Sequence, residues 1–301
     1  MLEGREPGDQ PAARELRDIY DDLAACADLR PGPQVDDVFR RLVRFVVDEP
    51  ADRAAALLDH ADVRPIVPHL RALCFDGEYQ LERAWARRIA EGPRPHDELE
   101  RFPYVENYRR LGDMERRAVA AVTGDSPRAI EHVAFVGSGP LPFTSFLLAD
   151  QGAVRVDNLD RDADALELSR RVAAALGVTG LGFRHVDVGS MQDIRDIRDG
   201  EDDRDGLGDG DGDGGLARYD LVVLAALVGA TPADKARVLD HLAVSMAPGA
   251  LLLVRSAQGL RTLLYPEVEI DALAGFDVLD VVHPTDEVIN SVILARKPED
   301  R

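Results

Sequence analysis

A glycine-containing turn and an acidic residue in the second half of the chain have the spacing of a nucleoside-binding site. The run Val133–Val136 has the composition of a buried strand, and Asp160 follows the turn by about twenty residues, at the end of the next apolar run. Glycines let the backbone approach a ligand, and a carboxylate at a strand end can accept both ribose hydroxyls. We therefore predict a nucleoside site made by Asp160 and the turn residues Gly137, Ser138, Gly139 and Pro140.

Prolines in the turn indicate which nucleoside is bound. A dinucleotide needs free backbone N–H groups at the next helix start to meet its pyrophosphate, and Pro140 and Pro142 remove donors there. S-adenosylmethionine, a nucleoside with a sulfonium and an amino-acid tail, fits this site better than NAD. Asp187, at the end of the third apolar run, is the predicted partner of the adenine amino group, with a helix-capping role as the alternative.

Two glutamates in the first half of the chain are candidates for acid–base chemistry. Glu78 and Glu82 are four residues apart in a helical pattern, on the same face as Cys74, Trp85 and Ile89. Partial burial beside Trp85 would raise the carboxyl pKa and produce a better base. The alternative is a solvated surface on which both glutamates pair with neighbouring arginines.

Further polar residues fall where they could complete a site. Tyr104 and Tyr108 repeat at helical spacing after Pro103, and we expect one of them to belong to the core. Arg255 is predicted to lie just past the end of a strand, where ligands of open α/β sheets bind, and its guanidinium suits a carboxylate. Secondary candidates are Arg261, Tyr265, His283 and Asn290. We expect the stretch Ala226, Leu227 and Val228 to contact the adenosine.

The order of elements predicts how these residues are positioned. From Ala12 to about Arg117 the apolar residues recur at helical spacing, and from His132 onward short apolar runs alternate with amphipathic stretches. Alternation of this kind predicts a parallel sheet with helices on both faces, here closed by an antiparallel pair at 278–283 and 288–295. The predicted fold class is α/β: a Rossmann-like S-adenosylmethionine-dependent transferase domain (residues 118–301) with an N-terminal all-helical domain (residues 1–117).

Composition excludes several classes of function. The chain has 301 residues and a formal net charge of −20, which disfavours binding to nucleic acid and to anionic membranes. The polar N-terminus lacks an apolar signal core, and the longest apolar run, Leu221–Ala230, is shorter than the ~20 residues that span a bilayer. Two cysteines cannot form a disulfide framework. From these features together we expect a cytoplasmic protein. We also expect no resident metal, because no cluster of His, Cys and Asp residues has the spacing of metal ligands.

A Gly/Asp-rich stretch at about 193–218 interrupts the α/β pattern and is predicted to be a mobile acidic insertion. Within it, Asp209, Asp211, Asp213 and Gly214 match the start of a calcium loop, with Asp220 at its final position. A glutamate at that last position and the flanking helices are missing. We therefore favour a plain loop over calcium binding.

Seven stretches of the sequence together carry a family resemblance. They are HVAFVGSGPLPFTSFLLA (132–149), YDLVVLAALVG (219–229), HLAVSMAPGALLLVRSAQGLRTLLYPEV (241–268), HPTDEVINSVILARK (283–297), LRPGPQVDDVFRRLV (29–43), LCFDGEYQLE (73–82) and FPYVENY (102–108). They are distributed along the chain from residue 29 to residue 297 and resemble nicotianamine synthase and its microbial relatives that make nicotianamine-like metallophores. The chain departs from that pattern in the acidic insertion, at Gln258 and at Val105, which leaves the acceptor open.

The resemblance implies transfer of the 3-amino-3-carboxypropyl group of S-adenosylmethionine to an amine, with release of methylthioadenosine. The leaving thioether is neutral and needs no acid, but an ammonium acceptor must lose a proton, so one base is required. The resemblance favours Glu78 as that base, with Tyr104 orienting or relaying the proton. The implied partner is an amino-acid substrate, the product is a metal chelator, and a homodimer is left open.

Three alternatives use the same residues. Cyclisation of S-adenosylmethionine to azetidine-2-carboxylate would make the donor's own amine the nucleophile. A small-molecule methyltransferase would present the methyl carbon instead of the γ-carbon to the acceptor. A non-catalytic nucleoside-binding or calcium-binding module would bind without turnover.

Overall fold

The computed structural model describes residues 9–124, 130–150, 154–197, 215–229 and 231–299. The first of these ranges is helical, as the apolar periodicity predicts. Its helices are α1 (Asp9–Ala24), α2 (Pro33–Asp48), α3 (Ala54–Leu58), α4 (Val67–Glu91), α5 (Pro95–Glu100) and α6 (Val105–Thr123). The boundary between two domains at residue 117 stays a prediction, since α6 continues through it.

A seven-stranded mixed sheet follows. Its strands are β1 (His132–Val136), β2 (Arg155–Asp160), β3 (Leu181–His185), β4 (Leu221–Leu224), β5 (Leu251–Ser256), β6 (Asp277–Val282) and β7 (Ser291–Arg296). The spatial order is β3-β2-β1-β4-β5-β7-β6. Strands β1 to β5 are parallel, and β7 is antiparallel to both β5 and β6. The predicted parallel sheet and its closing antiparallel pair are confirmed.

Four further helices lie between the strands: α7 (Phe143–Ala149), α8 (Ala163–Leu176), α9 (Met191–Arg195) and α10 (Pro232–Ser245). Local sequence fixes where α8 and α10 begin. The Asp162 side chain accepts hydrogen bonds from the first backbone N–H groups of α8, and the Thr231 hydroxyl does the same for α10. Gly177 ends α8 with a φ of 68°, the left-handed conformation of a helix C-cap.

Alternating residues of the strands supply two separate cores. On β1, Val133 and Phe135 pack on one face with Leu111 and Met114 of α6. The opposite face carries alternate residues of the same strands and packs against α9 and α10. Because buried strands carry apolar residues on both faces, they form continuous apolar runs in the sequence.

The helical part has its own core, which reaches into the α/β part. Leu16, Leu42 and Leu70 are fully buried, and Leu260 and Leu263, from the short 3₁₀ helix after β5, pack among them. A second apolar cluster joins α4 and α5 to α7 and α8. These two contacts place α2 and α4 above the carboxyl edge of the sheet.

The two ends of the predicted insertion are joined directly. The backbone N–H of Gly215 donates to the carbonyl of Ile197, with 2.9 Å between nitrogen and oxygen. The candidate calcium ligands at 209, 211 and 213 lie outside the described residues. Asp220 is described, and its Oδ2 accepts the backbone N–H groups of Glu131 and His132 at 3.1 and 3.0 Å. Its carboxylate therefore stabilises the start of β1.

Neither a membrane-spanning helix nor a disulfide is found in the described ranges. No helix there combines the length and the apolar character needed to cross a bilayer. Cys26 and Cys74 are free thiols.

Candidate active site

A cavity of about 1240 Å³ lies between the helical part and the carboxyl ends of the parallel strands. Residues of α2, α4 and α6 form one side, and the loops after β1 to β4 form the other. The structure brings all predicted site residues into its lining, namely Glu78, Glu82, Tyr104, Tyr108, Gly137, Ser138, Gly139, Pro140, Asp160, Asp187, Ala226, Leu227 and Arg255. Residues far apart in sequence thus converge on one site.

The turn after β1 depends on its two glycines. Gly137 and Gly139 have φ values of +76° and +65°, a region that favours glycine. A Cβ on Gly137 would lie 2.2 Å from a methyl carbon of Val228, and one on Gly139 would lie 3.0 Å from Oε2 of Glu82. The absence of these side chains therefore brings the turn close to Glu82 and opens space for a ligand.

Asp160 is held by the turn that it faces. Its Oδ2 accepts the backbone N–H of Gly139 at 2.8 Å, and its Oδ1 accepts that of Asp162 at 2.9 Å. Burial raises the pKa of Asp160 despite these two bonds. Each carboxylate oxygen still has a second lone pair available for a ligand donor, since an ionised carboxylate accepts about four hydrogen bonds.

Asp187 is not the helix cap that was its alternative role, because Ser190 caps α9. Its Oδ1 accepts the backbone N–H of Gly189 at 2.8 Å, so it stabilises the turn after β3. The same residue is exposed and belongs to the cavity lining.

The two glutamates lie inside the cavity rather than on a solvated surface. The Tyr108 hydroxyl donates to Oε1 of Glu82 at 2.7 Å, and the Tyr265 hydroxyl interacts with Glu78. Of the neighbouring arginines, Arg88 pairs with Glu98 on the surface instead. The surface alternative is therefore not what the structure contains.

Burial raises the pKa of both glutamates. For Glu78, hydrogen bonding to Tyr265 and the charge of Arg255 partly oppose this effect. For Glu82, repulsion from Glu78 adds to burial, and the Tyr108 hydrogen bond opposes it. The pair is thus poised to exchange a proton near neutral pH.

The tyrosines differ from the expected arrangement. Tyr104 was the predicted partner of Glu78, but its ring packs edge-on to Phe102 with centroids 6.0 Å apart. No hydrogen bond between its hydroxyl and either glutamate is found in the described ranges. The phenols that interact with the glutamates are Tyr108 and Tyr265, and proximity to these carboxylates together with burial holds the pKa of both well above the ordinary value.

Arg255 is less available than its position near a strand end suggests. Its Nε and Nη2 donate to the two carboxylate oxygens of Glu115, at 2.7 and 3.2 Å, and Nη2 also donates to Oγ1 of Thr144 at 2.6 Å. Nη1 has no partner among the described residues and remains for a ligand carboxylate. Glu115 was not among the residues predicted from the sequence. Its position on the apolar face of α6, among Leu111, Met114 and Ala118, could have indicated a buried charged partner.

The segment after β4 is fixed by a lysine that sequence analysis did not identify. Nζ of Lys235, a buried residue, donates to the carbonyl of Ala226 at 3.0 Å. Burial lowers the pKa of Lys235 to about 8. This contact positions Ala226 and Leu227 against the cavity, and a lysine in the first turn of a helix carried no sequence signal for that role.

The secondary candidates separate into two groups. Tyr265 and Asn290 line the cavity. Arg261 instead donates to backbone carbonyls, and Nδ1 of His283 pairs with the Ser291 hydroxyl at 2.9 Å, outside the cavity lining. Within the described part of the chain, no group of three His, Cys, Asp or Glu side chains could hold a metal ion.

Two polar groups lining the cavity have no hydrogen-bond partner in the described structure. They are Oγ of Ser138 and Nδ2 of Asn290, on residues that are 5% and 7% exposed. Buried polar groups without partners are uncommon and costly in folded proteins. These two groups are therefore candidates for ligand contacts.

Comparison with known proteins points to one family. A family model described as nicotianamine synthase protein matches residues 7–197 and 209–301. Nicotianamine synthase of Solanum lycopersicum is 36% identical over 295 residues, which cover 97% of this chain and 85% of the relative. Nicotianamine synthase 9 of Hordeum vulgare is 38% identical over 276 residues, covering 89% and 74% of the two chains.

Two solved structures share the fold of this chain at lower sequence identity. The structure of MtNAS in complex with MTA and tNA is 24% identical, with a TM-score of 0.76 and coverage of 98% of this chain and 99% of that one. A mutant of MtNAS in complex with S-adenosylmethionine gives 24% identity, a TM-score of 0.75 and coverage of 98% and 100%. At this identity the likeness establishes the fold, and it confirms the predicted fold class.

Proposed function

Because the chain belongs to the nicotianamine synthase family, we propose that it transfers the 3-amino-3-carboxypropyl group of S-adenosylmethionine to an amine and releases methylthioadenosine. The observation that carries this proposal is the meeting of Glu78 and Glu82 with the turn after β1 in one cavity. An amine that attacks a carbon next to a sulfonium must first lose a proton. Two carboxyl groups beside a nucleoside-binding turn can supply the base for that step. Bound S-adenosylmethionine, MTA and tNA in structures of MtNAS support the same substrate and products.

The donor's nucleoside would occupy the sheet side of the cavity. In this arrangement Asp160 accepts the ribose hydroxyls, and Gly137 to Pro140 form the turn against which the ligand lies. Ala226 and Leu227 contact the adenosine, and Asp187 accepts from the adenine amino group. Support comes from the positive φ of both glycines and from the position of all these residues in the cavity lining.

The protein selects the reaction by choosing the carbon that faces the acceptor. All three carbons bonded to the sulfonium are electrophilic, so orientation alone separates aminocarboxypropyl transfer from methyl transfer. The amine lone pair forms a C–N bond to the γ-carbon, the C–S bond breaks, and its electron pair stays on the neutral thioether sulfur. The proton lost from the amine goes to a carboxylate.

Glu78 is the proposed base, and Glu82 is its proposed partner. Burial and then repulsion from Glu78 raise the pKa of Glu82, so in this proposal Glu82 is the carboxyl that holds a proton while Glu78 is ionised. Tyr265 and Arg255 favour the ionised form of Glu78. Tyr108 orients Glu82 through its hydrogen bond, and Tyr104 shapes the apolar wall through its contact with Phe102.

The product is proposed to be a nicotianamine-like metal chelator. Transfer of aminocarboxypropyl units to an amino-acid acceptor places amines and carboxylates at regular spacing, which is the donor pattern of a metallophore. The cavity volume of about 1240 Å³ exceeds the 300–1000 Å³ typical of a small-ligand site, consistent with donor and acceptor binding together.

One product analysis tests this function against its alternatives. The protein is incubated with S-adenosylmethionine alone and with S-adenosylmethionine plus a mixture of amino acids, and the products are analysed by mass spectrometry. Methylthioadenosine together with an acceptor heavier by one or more aminocarboxypropyl units is the expected result. Azetidine-2-carboxylate from the donor alone would indicate the cyclase, and S-adenosylhomocysteine the methyltransferase.

A further inference from the structure

Asn290 combines deep burial with an amide that lacks a hydrogen-bond partner. The residue is 7% exposed and lines the cavity, and its Nδ2 donates to no group in the described part of the chain. A buried amide without a hydrogen bond costs stability, so folded proteins normally provide a partner for it. The missing partner is explained if a ligand supplies it.

The backbone leading to Asn290 is held firmly in place. Arg261 donates to the carbonyls of Asp286 and Val288 at 2.7 and 3.1 Å. Asn107 of α6 donates to the carbonyl of Glu287 at 2.9 Å. Three hydrogen bonds to three consecutive residues fix the approach to β7. The backbone is therefore restrained two residues before Asn290, which favours a defined position for a binding group.

Asn290 and Arg255 come together at one end of the β5–β7 pair. Val292 of β7 is directly opposite Arg255 of β5, and Asn290 precedes β7, two residues before Val292. Both residues line the cavity. Nη1 is the one Arg255 nitrogen with no hydrogen bond in the described part of the chain, so it is available to a ligand.

We propose that Asn290 and Nη1 of Arg255 form a subsite for the α-amino-acid head group of a substrate. Nη1 donates to the carboxylate, Nδ2 of Asn290 donates to its second oxygen, and Oδ1 of Asn290 can accept from the ammonium. A head group of this kind is present in the donor's aminocarboxypropyl arm and in an amino-acid acceptor. The inference rests on the proposed function, since only that function supplies such substrates.

The test compares ligands with and without the head group. Dissociation constants are measured by calorimetry for S-adenosylmethionine, for methylthioadenosine, which lacks the head group, and for nicotianamine added to protein saturated with methylthioadenosine. In Asn290→Ala we expect at least roughly tenfold weaker binding of S-adenosylmethionine or of nicotianamine, with methylthioadenosine unchanged within about twofold. Weaker S-adenosylmethionine binding assigns the subsite to the donor arm, and weaker nicotianamine binding assigns it to the acceptor side.

Two further variants keep the result interpretable. Asn290→Asp retains the shape but places a carboxylate against the ligand carboxylate, so it should weaken the same ligand more than Asn290→Ala does. Ser291→Ala, at the next residue and outside the cavity lining, should bind all three ligands as the wild type does, and thermal melting checks that each variant folds.

Equal weakening of methylthioadenosine by Asn290→Ala would overturn the subsite, because the role would then concern the nucleoside or the fold. Unchanged binding of all three ligands would overturn it as well. Failure of the proposed function is separate, since the wild type would then release no methylthioadenosine from S-adenosylmethionine.

Discussion

Glu78 and Glu82 differ in surroundings although they are one helical turn apart. Burial raises the pKa of both carboxyls; the charge of Arg255 and one tyrosine hydrogen bond each, from Tyr265 to Glu78 and from Tyr108 to Glu82, favour the ionised forms. Glu82 faces Tyr108, Asp160 and Glu78, and the two carboxylates favour its protonated form. This asymmetry would let one carboxyl accept the proton of the incoming amine while the other stays neutral. Chemical roles are thus assigned by neighbours that come from distant parts of the chain.

Replacing Glu78 tests the base directly. Glu78→Gln keeps the shape of the side chain but removes its basicity, so we expect turnover to fall by roughly 10²-fold or more. Affinity for S-adenosylmethionine should stay within a few fold, because the donor's nucleoside contacts lie across the cavity. Rates are measured from methylthioadenosine release, and affinity by calorimetry. Glu91→Gln, an exposed change on the same helix, is the control, and an unaltered rate in Glu78→Gln would remove Glu78 from the reaction.

The raised carboxyl pKa values predict how stability depends on pH. Glu82 binds a proton more tightly in the folded protein than in the unfolded chain, whose carboxyl pKa is about 4.5. Its contribution to stability is complete below that pH and is lost as the pH rises through about 8, the raised pKa of Glu82. Glu82→Gln imitates the neutral form at every pH. The melting temperature of this variant should therefore rise relative to that of the wild type as the pH increases from 5 to 8.

The measurement is a series of thermal melts of both proteins across that pH range. A gain of several degrees is expected, since each kcal/mol corresponds to roughly 2–4 °C for a chain somewhat smaller than this one. The same series with Glu91→Gln should show a constant difference from the wild type. A constant difference for Glu82→Gln as well would mean that Glu82 is ionised in the folded protein.

Two glycines allow close contacts between the elements that surround the cavity. Gly77 of α4 lies directly under Phe39 of α2, whose Cζ would be 2.2 Å from a Cβ at that position. This contact lets α2 pack across α4 beside Glu78. Gly229 plays a similar part after β4, where a Cβ would lie 2.7 Å from the backbone of Lys235. Loops and helices around the site are therefore set by small residues as much as by polar ones.

Gly229→Ala should be more damaging than an ordinary glycine substitution. Gly229 has a φ of +78°, and a new Cβ would also collide with the backbone at the start of α10. Gly177→Ala, at a φ of +68° with nothing within 4 Å of the new Cβ, is the matched control for conformational strain alone. We expect Gly177→Ala to cost about 1–2 kcal/mol and Gly229→Ala to cost more.

Urea unfolding gives the two free energies of unfolding. Because Gly229 ends the segment that we propose contacts the adenosine, Gly229→Ala should also weaken binding of S-adenosylmethionine. Gly177→Ala should leave that binding unchanged. Equal losses of stability in the two variants would show that the chain adjusts to the collision.

Sequence patterns predicted the elements better than the contacts between them. Runs of apolar residues indicated β1, β4 and β5 most clearly, because these parallel strands are buried on both faces, whereas β2 carries Asp157 and Asn158 and β6 is half-exposed. The turn glycines and Asp160 were also identifiable, since their spacing is local to one strand–turn–helix unit. The pairing of Glu82 with Tyr108, of Arg255 with Glu115 and of Lys235 with the Ala226 carbonyl was not. Each of these contacts depends on how separate elements pack, which local periodicity does not encode.

The residues on either side of the Gly/Asp-rich insertion are in direct contact with each other. Ile197 and Gly215 are joined by a backbone hydrogen bond, and the family model match breaks between residues 197 and 209. The family's fold is thus complete on either side of this stretch.

Deleting residues 198–214 and joining the ends with a short glycine linker should preserve folding and activity. The closure cost of a shorter loop is lower, and no described contact is lost. The melting temperature should stay within a few degrees of the wild type and the rate of methylthioadenosine release within about twofold. Calorimetric titration with Ca²⁺ on both forms checks the calcium-loop hypothesis separately. Loss of the cooperative melting transition would contradict the expectation.

Strand β7 lies between β5 and β6 although it is the last strand in the sequence. During synthesis, β6 emerges before the strand that links it to the rest of the sheet, and it has no partner until residues 291–296 follow. Asn290, at the threshold of that strand, reaches the cavity only then. A nascent chain halted before residue 291 would therefore leave β5 and β6 without the strand that lies between them, and we expect it to release no methylthioadenosine from S-adenosylmethionine.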